Sequence, residues 1–231
     1  MDFISLASSS KGNAYIVDDG KTKLLIECGV TFKALQKLTG HKVSEVAGCL
    51  ISHEHKDHSK CAKDLILSGI PVYTSYGTAE ALGLDAVNVI EEKEMFSVGS
   101  FDVMPFAVFH DAAEPMGFLI RSQETKKRLL FATDTASINY KFARLNIISL
   151  ECNYIKEILQ KSEHLPEKVR YRIQNSHMEA SEAARYVSTL DLACLEKLYL
   201  LHLSDACSNE RMIEGMFSKA LPDKEIIICA K

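Results

Sequence analysis

Short apolar runs separated by polar turns dominate the first part of the chain. The runs at Asp2–Leu6, Ala14–Asp18 and Lys23–Glu27 predict three strands, divided by Ser8-Ser9-Ser10-Lys11-Gly12-Asn13 and by the hairpin signal Asp18-Asp19-Gly20-Lys21. Helical spacing over Phe32–Leu38 ends near Gly40, and Ala47–Ile51 reads as a buried strand. Ser59 is a candidate N-cap for a helix over Cys61–Leu67. Next come a strand at Ile70–Tyr73, a short helix at Thr78–Leu82, and strands at Val87–Ile90, Phe101–Val108, Gly117–Arg121 and Arg128–Thr133. The second half alternates in the same way: strand Asn146–Leu150, helix Tyr154–Lys161, amphipathic helix Glu179–Leu190, strand Lys197–Leu201, helix Asn209–Lys219, strand Glu225–Cys229. Such an alternation, with no linker or repeat to break it, predicts an α/β fold of mixed sheets with helices outside.

The stretch between the Ala47–Ile51 strand and the next helix is where chemistry concentrates. His53, His55, Asp57 and His58 could not all converge from a helix or from a strand, so the reading places them on a loop. Imidazole and carboxylate without thiolate suit Zn²⁺, Mn²⁺ or Fe²⁺. The bland alternative is a solvated polar loop, and Glu54 and Lys56 are expected to point into solvent in either case.

Composition narrows the class. The chain has 231 residues, is 47% hydrophobic, and is expected to fold as one domain. A net charge of −4 supplies no polybasic tail, so a phosphate substrate has to be held by local positive charge. The seven cysteines are scattered, lack CxxC spacing and read as buried, reduced residues of a cytoplasmic protein. Neither a leader segment nor a membrane span is expected.

Three more candidates follow predicted strands: His110, Asp134 and His202. His110 alone could be a core-edge histidine, and Asp134 a turn or cap residue in Asp134-Thr135-Ala136-Ser137. His177 stands just ahead of the amphipathic helix, where it could simply cap it. The Ser8–Asn13 loop could bring backbone N–H groups close to an anion or could be an ordinary turn.

The His-x-His-x-Asp-His pattern is the signature of the metallo-β-lactamase superfamily, which the sequence resembles from end to end. The resemblance implies an αββα sandwich, a single domain over residues 1–231, and two divalent cations, Zn²⁺ foremost and Mn²⁺ as the other choice. His53, His55 and His110 would hold one cation, and Asp57, His58 and His202 the second, with Asp134 bridging. Cations about 3.5–4 Å apart share a hydroxide as nucleophile; Asp57 is a candidate base or orienter for it.

The segment from Asn175 to Ala184 resembles the histidine-before-helix segment of ribonuclease Z and of the YycJ-like exonuclease branch, which implies that His177 protonates the leaving oxygen or stabilises phosphorane charge. Ser8–Ala14, Leu25–Gly29, His110–Pro115, Ala132–Thr135 and Glu151–Tyr154 resemble segments of the YycJ-like branch, making Ser9, Ser10 and Asn13 candidate phosphate contacts. Glu27, Tyr154 and Glu179 depart from its pattern. A nuclease acting on DNA ends is therefore the expectation. The alternatives are a cyclic-nucleotide phosphodiesterase of the phage anti-Pycsar type, a thioesterase or lactonase that needs no His177, and a non-enzymatic metal binder. Relatives commonly form homodimers.

Overall fold

The computed structural model describes Met1–Cys229, which separate into two compact units: residues 1–107 with 112–127, and residues 108–111 with 128–229. In the first unit, β1 (Asp2–Ser9), β2 (Gly12–Asp18), β3 (Lys23–Ile26), β4 (Val46–Leu50), β5 (Val72–Thr74) and β6 (Asn88–Val89) lie side by side in that order. Pairing is antiparallel through β3 and parallel from β3 to β6. Leu25, Cys49, Ile51 and Val72 pack with Leu35 of α1 (Phe32–Leu38) and Leu65 of α3 (Ala62–Leu67) in one buried cluster. Thr31 caps α1 by accepting from the Ala34 N–H, and Ser75 caps α4 (Tyr76–Leu82) by accepting from the Thr78 N–H. β7 (Phe96–Val98), β8 (Phe101–Ala107) and β9 (Met116–Ser122) form an antiparallel run.

The β2–β3 turn is tied to that run by one carboxylate. Asp19 Oδ2 accepts from the hydroxyls of Ser100 and Ser122, both at 2.7 Å, while Oδ1 accepts from the N–H groups of Lys21 and Thr22. Burial alone would raise the Asp19 pKa; the hydrogen bonds from Ser100, Thr22, Ser122 and Lys21 outweigh it and hold the pKa below 3.8.

The second unit is built on the parallel strands β10 (Arg128–Ala132), β11 (Ile147–Glu151), β12 (Lys197–Leu201) and β13 (Glu225–Ile228), ordered β13-β12-β11-β10. All five residues of β11 are buried, as expected for a parallel strand covered on both faces. The helices are α5 (Lys156–Lys161), α6 (Glu167–Ser176), α7 (Ala180–Ser188) and α8 (Glu210–Ala220). α7 buries Ala180, Ala183, Tyr186 and Val187, the stripe that made it legible in the sequence. The strands fall into two mixed β-sheets flanked by helices, the expected class.

Several expectations need correction. Asp57 and His58 stand on a short helix of their own, α2 (Lys56–Ser59), while His53 and His55 lie on the irregular stretch before it. Ser59 ends that helix rather than capping the next: its hydroxyl donates back to the carbonyls of Glu54 and His55. Glu54 is partly buried and accepts from the Ala113 N–H at 2.9 Å; Lys56 is exposed as expected. Cys194 is exposed whereas the other six cysteines are buried, all seven as free thiols. α6 and β7 were not foreseen. Among the described residues, no helix is long and apolar enough to cross a membrane.

Candidate metal centre and its histidine–glutamate pair

In the first unit, the end of β4 delivers the chain into the His53–His58 segment. Ser52 Oγ lies 2.8 Å from His53 Nδ1, which makes Nε2 the candidate ligand nitrogen of His53; it stands 3.1 Å from His55 Nδ1. The rings of His53 and His58 are 4.2 Å apart, and His58 Nε2 is 3.5 Å from Asp57 Oδ2. The four sequence candidates of this segment therefore do converge.

Two residues behind them fix that arrangement. Asn13 is fully buried, and its Nδ2 lies 3.1 Å from the Asp57 carbonyl and 3.2 Å from His58 Nε2, while Tyr15 donates to its Oδ1. Of the other loop candidates, Ser9 is buried and Ser10 exposed. Glu27, also fully buried, stands 3.5 Å from His58 Nδ1 and accepts from the Ser52 N–H. Gly29 and its neighbour lie directly against the metal segment: Cys28 N–H donates to the His58 carbonyl, and a Cβ on Gly29 would fall 1.6 Å from the Asp57 carbonyl oxygen.

In the second unit, strand ends deliver the remaining candidates. Asp134 follows β10, His202 follows β12, and His110 belongs to residues 108–111. His110 Nδ1 donates to the Ser176 carbonyl at 2.7 Å, which turns Nε2 toward Asp134 Oδ2, 3.5 Å away. His202 Nδ1 lies 3.3 Å from Asp134 Oδ1 and 3.3 Å from Glu151 Oε1. Asp134, Glu151, His177 and His202 offer ligand atoms within 4.8 Å of one another. Glu27, Asp134 and His202 all take positive φ (62°, 44° and 55°), the left-handed region that non-glycine residues enter only when their surroundings impose it.

Glu151 is the residue that sequence reasoning missed as a site residue. It ends β11, is completely buried, and accepts from the N–H groups of Thr135 at 2.8 Å and Met178 at 3.0 Å through Oε2. Its Oε1 stands 2.7 Å from His177 Nδ1. Burial opposes charge on both groups, but their mutual attraction and hydrogen bond outweigh it: the Glu151 carboxyl is held below its usual value and the His177 imidazole above its own. The helix-capping duty that His177 could have had belongs to Glu179, which accepts from the N–H groups of Ser181 and Glu182 at the start of α7.

The donors are imidazoles and carboxylates with no thiolate among them, and ring nitrogens of His53 and His110 are engaged from behind so that the opposite nitrogens are presented. This chemistry fits a divalent cation of the zinc or manganese kind.

The chain matches the family described as the beta-lactamase superfamily domain over residues 22–203 and belongs to it. With that fold and these donor clusters, it is a metal-dependent hydrolase. It is 29% identical to the exodeoxyribonuclease YycJ of Bacillus anthracis, over 97% of this chain and 90% of that one. It is 26% identical to the exodeoxyribonuclease WalJ of Streptococcus pneumoniae, over 86% of this chain and 80% of that one. Among solved structures, the metallo-β-lactamase fold protein YhfI of Bacillus subtilis superposes with a TM-score of 0.74 at 16% identity, over 99% of this chain and 96% of that one.

Proposed function

We propose that this chain is a dinuclear phosphodiesterase acting on DNA ends. In this reading His53, His55 and His110 hold one divalent cation, Asp57, His58 and His202 the other, and Asp134 both. Zinc suits the donor set best, manganese second. When bound, such a pair lowers the pKa of water toward neutrality and withdraws charge from phosphoryl oxygens. The observation that carries the phosphodiester assignment is the Glu151–His177 pair, 2.7 Å apart beside Asp134 and His202.

Glu151 keeps Nδ1 of His177 engaged and favours the doubly protonated ring. His177 is then ready to give a proton from Nε2 to the departing alkoxide, which needs one far more than a departing thiolate does. Asp57 orients the attacking water or takes its proton, and Asn13 keeps the backbone carbonyl of Asp57 in place. Ser9 and Ser10, where β1 turns into β2, are read as contacts for the phosphate. The names of the YycJ and WalJ relatives support DNA as the polymer.

We read residues 1–231 as a single domain, because the family match runs through both units. Seven free thiols favour a cytoplasmic site of action, and the pairing common among relatives makes a homodimer the assembly to test.

The test is a substrate panel of single- and double-stranded DNA, RNA, cyclic mononucleotides, bis-p-nitrophenyl phosphate and an acyl thioester, run on wild type and His177→Ala. Cleavage of DNA and of the nitrophenyl ester, crippled in the variant while metal content holds, is the expected result. Thioester turnover indifferent to His177 would replace this reading with the thioesterase one.

A further inference from the structure

Helix α6 buries only one of its ten residues, Ser176. Its apolar attachment is slight: Ile173, together with the nearby Leu165, packs on the small cluster of Tyr154, Leu159 and Cys207. A surface helix ordinarily keeps its place through a stripe of apolar side chains turned to the core. In α6 polar ties take over that task, and they lead to His110 and His177.

Two of the ties meet at His110. The Ser176 carbonyl, in the last turn of α6, accepts from His110 Nδ1 at 2.7 Å. The partial negative charge of a helix C-terminus favours that donor, and an acceptor behind Nδ1 makes Nε2 a better ligand. One turn earlier, Arg172 Nε donates to Asp111 Oδ2 at 2.6 Å, while Asp111 Oδ1 stands 3.4 Å from His110 Nε2. Positions 172 and 176 share a helix face, and Ser176 Oγ donates to the Arg172 carbonyl at 2.8 Å. A third tie follows at once: His177, the residue after α6, is held by Glu151, and its ring lies 5.1 Å from that of His110, edge to face. One short helix thus grips a candidate ligand from behind, holds that ligand's neighbour, and leads directly into the proposed proton donor.

Of the three bases on α6, Lys168, Arg170 and Arg172, only Arg172 meets a carboxylate among the described residues. Both partners of that pair are exposed, so it adds little to global stability. What it decides is where a loosely packed helix sits.

We propose that Arg172 is a positioning residue: by holding Asp111 it seats α6 against the His110 stretch, so that the Ser176 carbonyl aligns His110 for its cation and His177 stands where its proton is needed. Cation binding at His110 and seating of α6 then favour each other by the same factor. The proposal rests on reading His110 as a metal ligand and His177 as the acid, and it keeps the two in step.

Arg172→Ala tests this, first without substrate. Competition with a chromophoric chelator shows one cation held about ten-fold more weakly, the lower end for losing support behind a ligating histidine, and the other unchanged. Hydrogen exchange across Glu167–Ser176 is faster in the variant, and in wild type zinc slows it there more than in α8. The unfolding midpoint in EDTA moves little. Arg172→Lys, which can still meet Asp111, recovers most of the cation affinity, and Lys168→Ala, which removes an exposed cation from the same helix, alters nothing. With cation saturating, Arg172→Ala lowers kcat on an oligonucleotide by up to about a hundred-fold at unaltered KM. Wild-type cation affinity and exchange in Arg172→Ala, no recovery in Arg172→Lys, an equal loss in Lys168→Ala, or a raised KM at unchanged kcat, the mark of a direct phosphate contact, overturns the proposal and leaves the metal reading intact. A wild type that takes up no cation would sink both.

Discussion

Gly29 lies so close to Asp57 that a Cβ on it would sit 1.6 Å from the Asp57 carbonyl oxygen and 2.7 Å from the His58 nitrogen. Backbone meets backbone there, with no flexible side chain to yield. Gly29→Ala is therefore expected to push the Asp57–His58 turn away, at a cost of about 3 kcal/mol or more, the upper end for overpacking. Guanidinium unfolding should show the loss, and metal analysis a reduced content; wild-type values for both would remove Gly29 from the site's support.

Glu151→Gln keeps the shape of the side chain and removes the charge that favours protonated His177. If the amide oxygen turns to the Thr135 and Met178 N–H groups, the amide nitrogen faces His177 Nδ1 and demands an acceptor there. Turnover of DNA should fall about a hundred-fold or more with metal content retained. Unaltered turnover would show that His177 acts without this partner.

Asp19 offers a pH-dependent contribution far from the chemistry. Its folded pKa lies below 3.8, so the carboxylate's stabilisation is fully present above that value and is lost as pH falls through the lower, folded pKa. Asp19→Asn should cost about 1–3 kcal/mol at neutral pH. The difference between wild type and variant should shrink only in strongly acidic solution. A constant difference down to the acid limit would contradict the assignment.

Exhaustive chelation should remove about two equivalents of divalent cation per chain and abolish hydrolysis, with zinc or manganese restoring it. Recovery of one equivalent would leave the two sets of donors sharing a single ion. Removal should also lower the unfolding midpoint, since clustered carboxylates and imidazoles lose the cation that offsets their proximity.

How far the sequence could be read follows from what each residue borders. Asp134 and His202 were legible because each ends an apolar run, and the His53–His58 spacing is dense enough to stand out on its own. Glu151 ends a buried strand as well, after Ile147-Ile148-Ser149-Leu150, but a lone acid at a strand end is ordinary; only its contacts with His177, Thr135 and Met178 distinguish it. α6 escaped notice because Val169 and Ile173 do not make a stripe, though Pro166 followed by Glu167 is a helix-start signal that was there to be used. The helical turn at Lys56–Ser59 was missed for another reason: four converging ligands were assumed to need one continuous loop, when a bend followed by a single turn brings them together.

The left-handed backbone at Glu27, Asp134 and His202 has a consequence for anyone who would strengthen this protein. Glycine would occupy each of those corners at less conformational cost, so at Asp134 and His202, the two read as metal ligands, the fold and the proposed chemistry favour different amino acids. Selection for heat resistance alone would drift toward erasing the donors, and a hardened descendant that kept its shape could lose its reaction at a single codon.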